Sequence, residues 1–166
     1  MMDKIALVVG GTRGIGFAVA ERLISEGAKV FLTGRSQEQV NEAVFRLGAN
    51  AHGLVADAGN TDDLAQVISA VQQEHERIDA LVFNAGTTEP AALGSLTEAG
   101  FGRQVAVNVR GPVFGLQAAL PLLAPGSSVV LIGSVAAVSA SPNFGTYGAT
   151  KAALRAYART WTAELA

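Results

Sequence analysis

The chain has 166 residues, one domain's worth on the usual scale of ~100–200 residues per domain, and 49% are hydrophobic, ample for a buried core. Only 16% are charged, against the ~25% usual for a free-standing domain, which points to surface covered by a partner chain or by absent sequence, or else to alanine and glycine richness alone. A net charge of −2 with no basic run argues against nucleic acid and anionic membranes as principal partners, and the absence of cysteine excludes disulfides and thiolate catalysis.

Met1-Met2-Asp3-Lys4 leads directly into a short apolar run, without the charged leader and long apolar core of a signal peptide. No apolar run approaches the ~18 residues of a membrane span. The expectation is a soluble, cytoplasmic protein.

Taken in chain order, Ile5 to Val9 is a β-prone run closed by Gly10-Gly11. From Gly14 to Glu26 the apolar residues Ile15, Ala18, Val19 and Leu23 recur at helical spacing up to Gly27. Val30 to Thr33 predicts a second strand. Ser36 with Gln39 forms a capping box for a helix reaching about Leu47. Ala51 to Ala56 is a short third strand, and residues 61 to about 76 carry Leu64, Val67, Ile68 and Val71 on one helical stripe. Ile78 to Phe83 is nearly all apolar, as a strand buried on both faces requires. A loop with Pro90 follows, then a long helix from Thr97 to about Leu123 that Pro112 bends by removing one backbone donor. Ser128 to Ile132 is the fifth strand, and a last helix runs from about Gly145 to the end. Strands alternating with helices read as a doubly wound parallel α/β sheet within one domain, residues 1–166.

The segment Gly10-Gly11-Thr12-Arg13-Gly14-Ile15-Gly16 opens the first helix directly after the first strand. Glycines there let backbone approach a pyrophosphate, and the helix N-terminus offers unpaired N–H groups to it. The alternative is a plain tight turn. The end of the second strand, Thr33-Gly34-Arg35-Ser36, has no carboxylate for a ribose 2′-hydroxyl, whereas Arg35 and Arg13 suit a 2′-phosphate. The expectation is NADP(H) over NAD(H), with two solvated surface arginines as the alternative.

Tyr147 and Lys151 stand four residues apart, with Ser134 thirteen residues before the tyrosine. On a helix the phenol and the ammonium share one face, one turn apart. A cation there favours the phenolate of a group whose unperturbed pKa is near ~10. That is a proton-transfer device for a carbonyl or an alcohol, set against an ordinary aromatic and a solvated lysine. No metal-ligand cluster is apparent, and His52 and His75 read as surface or packing residues. Tyr157, Trp161 and Leu165 form a stripe more typical of core than of a ligand site.

Together these residues resemble the short-chain dehydrogenase/reductase family over essentially the whole chain. The glycine turn matches at Gly10, Gly14 and Gly16, and Asp57 with Ala58 matches the position used against the adenine ring. Asn84-Ala85-Gly86 matches the signature after the fourth strand. Asn108, Ser134, Tyr147 and Lys151 match the catalytic set. One departure is Val9, where the family commonly has threonine, so a side-chain hydrogen bond near the turn is missing. The resemblance implies a Rossmann-like sheet in the order 3-2-1-4-5. It implies hydride transfer between a nicotinamide and a small carbonyl or alcohol, with Tyr147 as acid/base and Lys151 holding the nicotinamide ribose. Ser134 would polarise the substrate oxygen, and Asn108 would position a relay water. It also implies a homo-oligomer through residues 97–123 and 145–166, with part of the Tyr157 stripe in a dimer face. The family's sixth and seventh strands are missing, and residues 159–166 keep helical spacing without a glycine or proline stop. The expectation is therefore a C-terminally truncated chain, and the alternative function is a catalytically weak nucleotide-binding or self-associating module.

Overall fold

The computed structural model describes residues 2–165. Five parallel strands form one sheet: β1 (Ile5–Val9), β2 (Lys29–Gly34), β3 (Ala51–Val55), β4 (Ala80–Phe83) and β5 (Ser128–Leu131). Their order is β3-β2-β1-β4-β5. Between them run α1 (Gly14–Ser25), α2 (Gln37–Leu47), α3 (Thr61–Glu74) and the pair α4 (Glu98–Val105) and α5 (Gly111–Ala119), and α6 (Gly145–Glu164) follows β5. The expected Rossmann-like order is the observed one.

Strand alternation divides the core between the two faces of the sheet. Ile5, Leu7 and Val9 of β1 join Phe31, Leu81 and Phe83 against α3 and α5, where Leu64, Val67, Val71 and Leu116 meet them. Ala6 and Val8 turn the other way, with Val30, Leu32 and Val82, toward Phe17 and Ala20 of α1 and Ala43 of α2. Both faces of β1 and β4 are thus buried, which is why these strands are apolar at every position. Each fully buried Leu, Val or Phe contributes about 1.5–3 kcal/mol. Ser36 caps α2 by accepting from Gln39 N at 3.4 Å, Asn60 caps α3 and Thr97 caps α4.

The long helical stretch expected from Thr97 to about Leu123 runs unbroken over residues 98–122, but not in one register. Between α4 and α5 lies a π-helical turn, Ala106–Arg110, in which Gly111 N pairs with Ala106 O, and the C-terminal end tightens into a 3₁₀ turn, Leu120–Leu122. Pro112 lacks the N–H that would meet Asn108 O in α register, so the irregularity falls just before the proline rather than at it. A Cβ on Gly111 would collide with Ala58 O, so this turn passes hard against the loop after β3. The Tyr157 stripe divides: Trp161 packs on the core, while Tyr157 and Leu165 are exposed. His52 and His75 are packing residues, stacking on Phe31 and meeting it edge-on. No helix among the described residues is long and apolar enough to cross a membrane.

Candidate active site

The C-terminal ends of β1, β2, β3 and β4 surround a cleft of about 370 Å³. Parallel strands leave such a crevice where the sheet order reverses, here at β1 between β2 and β4. Gly10, Thr12, Arg13, Gly14, Arg35, Asp57, Ala58, Asn84, Ala85 and Gly86, all read from the sequence as candidates for cofactor binding, come together in its lining. Gly16 sits beneath the turn instead, where a Cβ would strike Gly10 O. Ile15 is largely exposed, and Ser36 serves as the cap of α2.

The glycine turn is held from two sides. Gly10, at φ +85, donates its N–H to Thr33 Oγ1 at 3.0 Å, and Gly11 N reaches Thr33 O at 2.9 Å. Asn84 Nδ2 donates to Gly10 O at 2.7 Å from the end of β4. Thr33, which sequence reasoning passed over, thus gives the turn a side-chain hydrogen bond from β2, while Val9 offers none. The signal was available: a buried threonine closing an otherwise apolar strand has a hydroxyl to satisfy. Gln39, Thr87 and Val107 also line the cleft and were not anticipated.

Two arginines and one carboxylate line the cleft. Arg13 precedes α1 in extended conformation, and Arg35 follows β2. The only carboxylate lining the cleft is Asp57, after β3, whose Oδ1 accepts from Gly59 N at 2.8 Å. These residues fit a dinucleotide: close-approach glycines, free N–H groups at the start of α1, and cations at the far end.

Beside the cleft, α6 presents Tyr147 and Lys151 as the spacing predicts. Lys151 is 3% exposed; its Nζ donates to Ile132 O at 2.6 Å and lies 5.8 Å from the Tyr147 ring centroid. Burial pushes its pKa below the usual lysine value of 10.5. A Cβ on Gly86 would lie 3.6 Å from both Lys151 Nζ and Asn108 Oδ1, so the cleft and the α6 pair adjoin at Gly86.

Asn108 is fully buried in the π turn, and its amide is committed. Oδ1 accepts from Thr87 N at 2.8 Å, while Nδ2 donates to Thr87 O at 2.8 Å and to Thr150 Oγ1 at 3.0 Å. Thr150 Oγ1 in turn donates to Tyr147 O at 2.7 Å. The side chain is thus a bracket joining the loop after β4 to the first turns of α6. Ser134 begins a 3₁₀ turn, Val135–Ala137; its Oγ accepts from Ala136 N at 3.2 Å, which leaves the hydroxyl hydrogen free to donate. A Cβ on Gly148 would meet Ala136 O at 2.8 Å, so this turn packs closely on α6.

A family model described as short chain dehydrogenase matches residues 4–166. The oxidoreductase asL5 of Sarocladium schorii is 38% identical over 99% of this chain and 67% of its own length. Dehydrogenase/reductase SDR family member 4 of Pongo abelii is 36% identical over all of this chain and 62% of its own length. The chain thus spans roughly two thirds of the curated relatives it matches. Among solved structures, the Pseudomonas aeruginosa RhlG/NADP active-site complex superposes with a TM-score of 0.93 at 36% identity, covering 99% of this chain and 68% of that one.

Proposed function

The chain belongs to the short-chain dehydrogenase family, whose members are oxidoreductases using nicotinamide nucleotides, and on that premise we propose that it interconverts a ketone and a secondary alcohol with NADP(H). One observation carries the reading: the Tyr147–Lys151 pair adjoins the nucleotide cleft through Gly86. That proximity, Lys151 Nζ at Gly86 with the Tyr147 ring 5.8 Å from it, supports Tyr147 as the proton donor to a substrate held against a nicotinamide.

A bound nicotinamide nucleotide supplies or accepts the hydride. Gly10 and Gly14 with the start of α1 would receive its pyrophosphate, Gly16 letting the helix pack beneath the turn, while Asp57 and Ala58 would flank its adenine and Arg13 and Arg35 would take the 2′-phosphate. Tyr147 Oη gives its proton to the carbonyl oxygen in reduction and removes it from the alcohol in oxidation. Lys151 has three donors; one is held by Ile132 O, and the other two remain for the nucleotide ribose, with the Tyr147 ring 5.8 Å away. Ser134 donates its free hydroxyl hydrogen to the same substrate oxygen, stabilising charge that develops there. The relay water behind Lys151 falls to the Asn108 main chain, because the amide is already committed.

Exposed Phe101 and Phe114 of α4 and α5, with Tyr157 of α6, support self-association through residues 97–123 and 145–166. The test of the chemistry is NADPH oxidation by a panel of ketones. Tyr147→Phe abolishes turnover, by at least about 10²-fold, and leaves NADPH affinity unchanged. Retained turnover in that variant would remove Tyr147 as the acid.

A further inference from the structure

The wall beside Tyr147 is without charge. From Gly111 to Thr150 the chain contains no Asp, Glu, Lys, Arg or His, and this stretch includes Ser134, the 3₁₀ turn after it and the whole approach to Tyr147. Its large exposed side chains are apolar, Val135 at 75% and Val138 at 70%, beside the neutral Ser139, Ser141 and Asn143, and the Phe144 ring stands edge-on to Tyr147 with centroids 6.4 Å apart. A hollow of about 520 Å³ beneath it is lined by Ala137, Ala140, Pro142, Phe144, Ala149 and Ala152 among others, with no charged side chain.

The facing segment is of the same kind. Ala91 N donates to Asn143 O at 2.9 Å, which ties the start of residues 91–96 to this wall, and Leu93 there is 99% exposed. From Asn84 to Thr97 the single charged residue is Glu89. Its carboxylate is turned away into a two-pronged pair with Arg103, Nε to Oε1 at 2.6 Å and Nη2 to Oε2 at 2.8 Å, and these hydrogen bonds hold it below the usual carboxylate range. The remaining cation, Lys151, is buried and donates to Ile132 O. A substrate carboxylate or phosphate resting against this wall would lose hydration and meet no charged side chain from residues 111–150. An alkyl or aryl substituent would cover Val135, Val138 and Leu93 and gain by leaving water.

From this we infer that the site selects neutral carbonyl compounds with apolar substituents, such as ketones and keto esters, and rejects keto acids and phosphorylated sugars. The inference rests on the placing of the reacting oxygen at Tyr147, and it is tested by a measurement that needs no turnover.

A medium-chain ethyl 3-oxo ester and its free acid differ only in the charge. Each is titrated into the protein at neutral pH, followed by amide chemical shifts. The ester binds at least about thirtyfold tighter, with shifts confined to residues 91–96 and 134–148. Val138→Lys, at an exposed position outside the catalytic set, raises acid affinity about tenfold and weakens the ester. Equal affinities, a preference for the acid, or no ester binding overturns the inference, as do shifts elsewhere. Ester bound in this way but not reduced with NADPH upholds the apolar wall and refutes the reductase reading. Reduction of acid and ester alike does the reverse.

Discussion

Replacing Asn108 by alanine tests the bracket that ties the cleft to α6. The side chain is fully buried and makes three hydrogen bonds: one from Thr87 N, one to Thr87 O and one to Thr150 Oγ1. A hydrogen bond contributes about 0.5–1.5 kcal/mol net, and a buried group left without a partner costs about 1–3 kcal/mol. Alanine removes all three bonds and strands both main-chain groups of Thr87. Water reaching half-buried Thr87 relieves part of this, so the expected loss is about 3–5 kcal/mol. Against the ~5–15 kcal/mol of an ordinary domain, that is a large share.

Urea unfolding, followed by circular dichroism and Trp161 fluorescence, measures it. With a urea slope of about 2 kcal/mol/M, the midpoint falls by roughly 2 M. Thr150→Val removes the Asn108 contact at its other end and costs less, about 1–2 kcal/mol. Because the two variants delete one bond in common, the double variant loses less than the sum of the singles. A loss below about 1 kcal/mol for Asn108→Ala, or strict additivity with Thr150→Val, would refute the bracket. It would return Asn108 to a purely catalytic role.

The cleft and the buried lysine give two further expectations. Arg35→Ala and Arg13→Ala each lower NADPH affinity about tenfold or more, the worth of a charge-assisted hydrogen bond, while NADH affinity stays level. Calorimetric titration of both nucleotides decides it, and equal losses would refute the 2′-phosphate assignment. Burial holds the folded-state pKa of Lys151 below 10.5, so between the folded and unfolded values the unfolded chain binds more protons and stability rises with pH. Lys151→Met lacks that rise, so the wild type gains on the variant as pH is raised toward 10.5. Parallel stability profiles across that window would show that the lysine is not desolvated.

The sheet was legible because parallel strands buried on both faces leave little choice of residue: β1 runs from Ile5 to Val9 as read, and β4 ends at Phe83 as read. The glycine turn was legible for a related reason, since Gly16 lies where any Cβ would strike the turn. The π turn at Ala106–Arg110 was not. One extra residue in a helical turn barely disturbs an apolar stripe, and Pro112 drew attention to a bend at its own position. Nor was the Asn108–Thr87 pairing legible, because it joins residues 21 apart through a loop whose path no local propensity sets. The Glu89–Arg103 pair was hidden for the same reason. Trp161, Tyr157 and Leu165 share a stripe, but only the tryptophan meets the core; spacing tells which residues share a face, not how far the neighbouring layer extends.

The tyrosine–lysine pair shows where local reading stops being sufficient. Four residues on a helix put Lys151 on the face of Tyr147, yet that spacing leaves the lysine's long side chain free to turn to solvent. Here its position is set from outside the helix, by Ile132 O at the end of β5. Burial makes the cation costly, and the hydrogen bond makes this its one satisfied place, 5.8 Å from the Tyr147 ring. The placing of Tyr147 and Lys151 thus depends on three anchors: the end of β5 for the ammonium, Thr150 with Asn108 for the backbone at Tyr147, and Ala136 O against Gly148 for the start of α6. Two of the three come from the sheet's far edge and the turn after it, the same segment that forms the apolar wall. The register of β5 on β4, Phe83 beside Leu131, therefore sets the position both of the Lys151 ammonium and of the uncharged wall that follows β5.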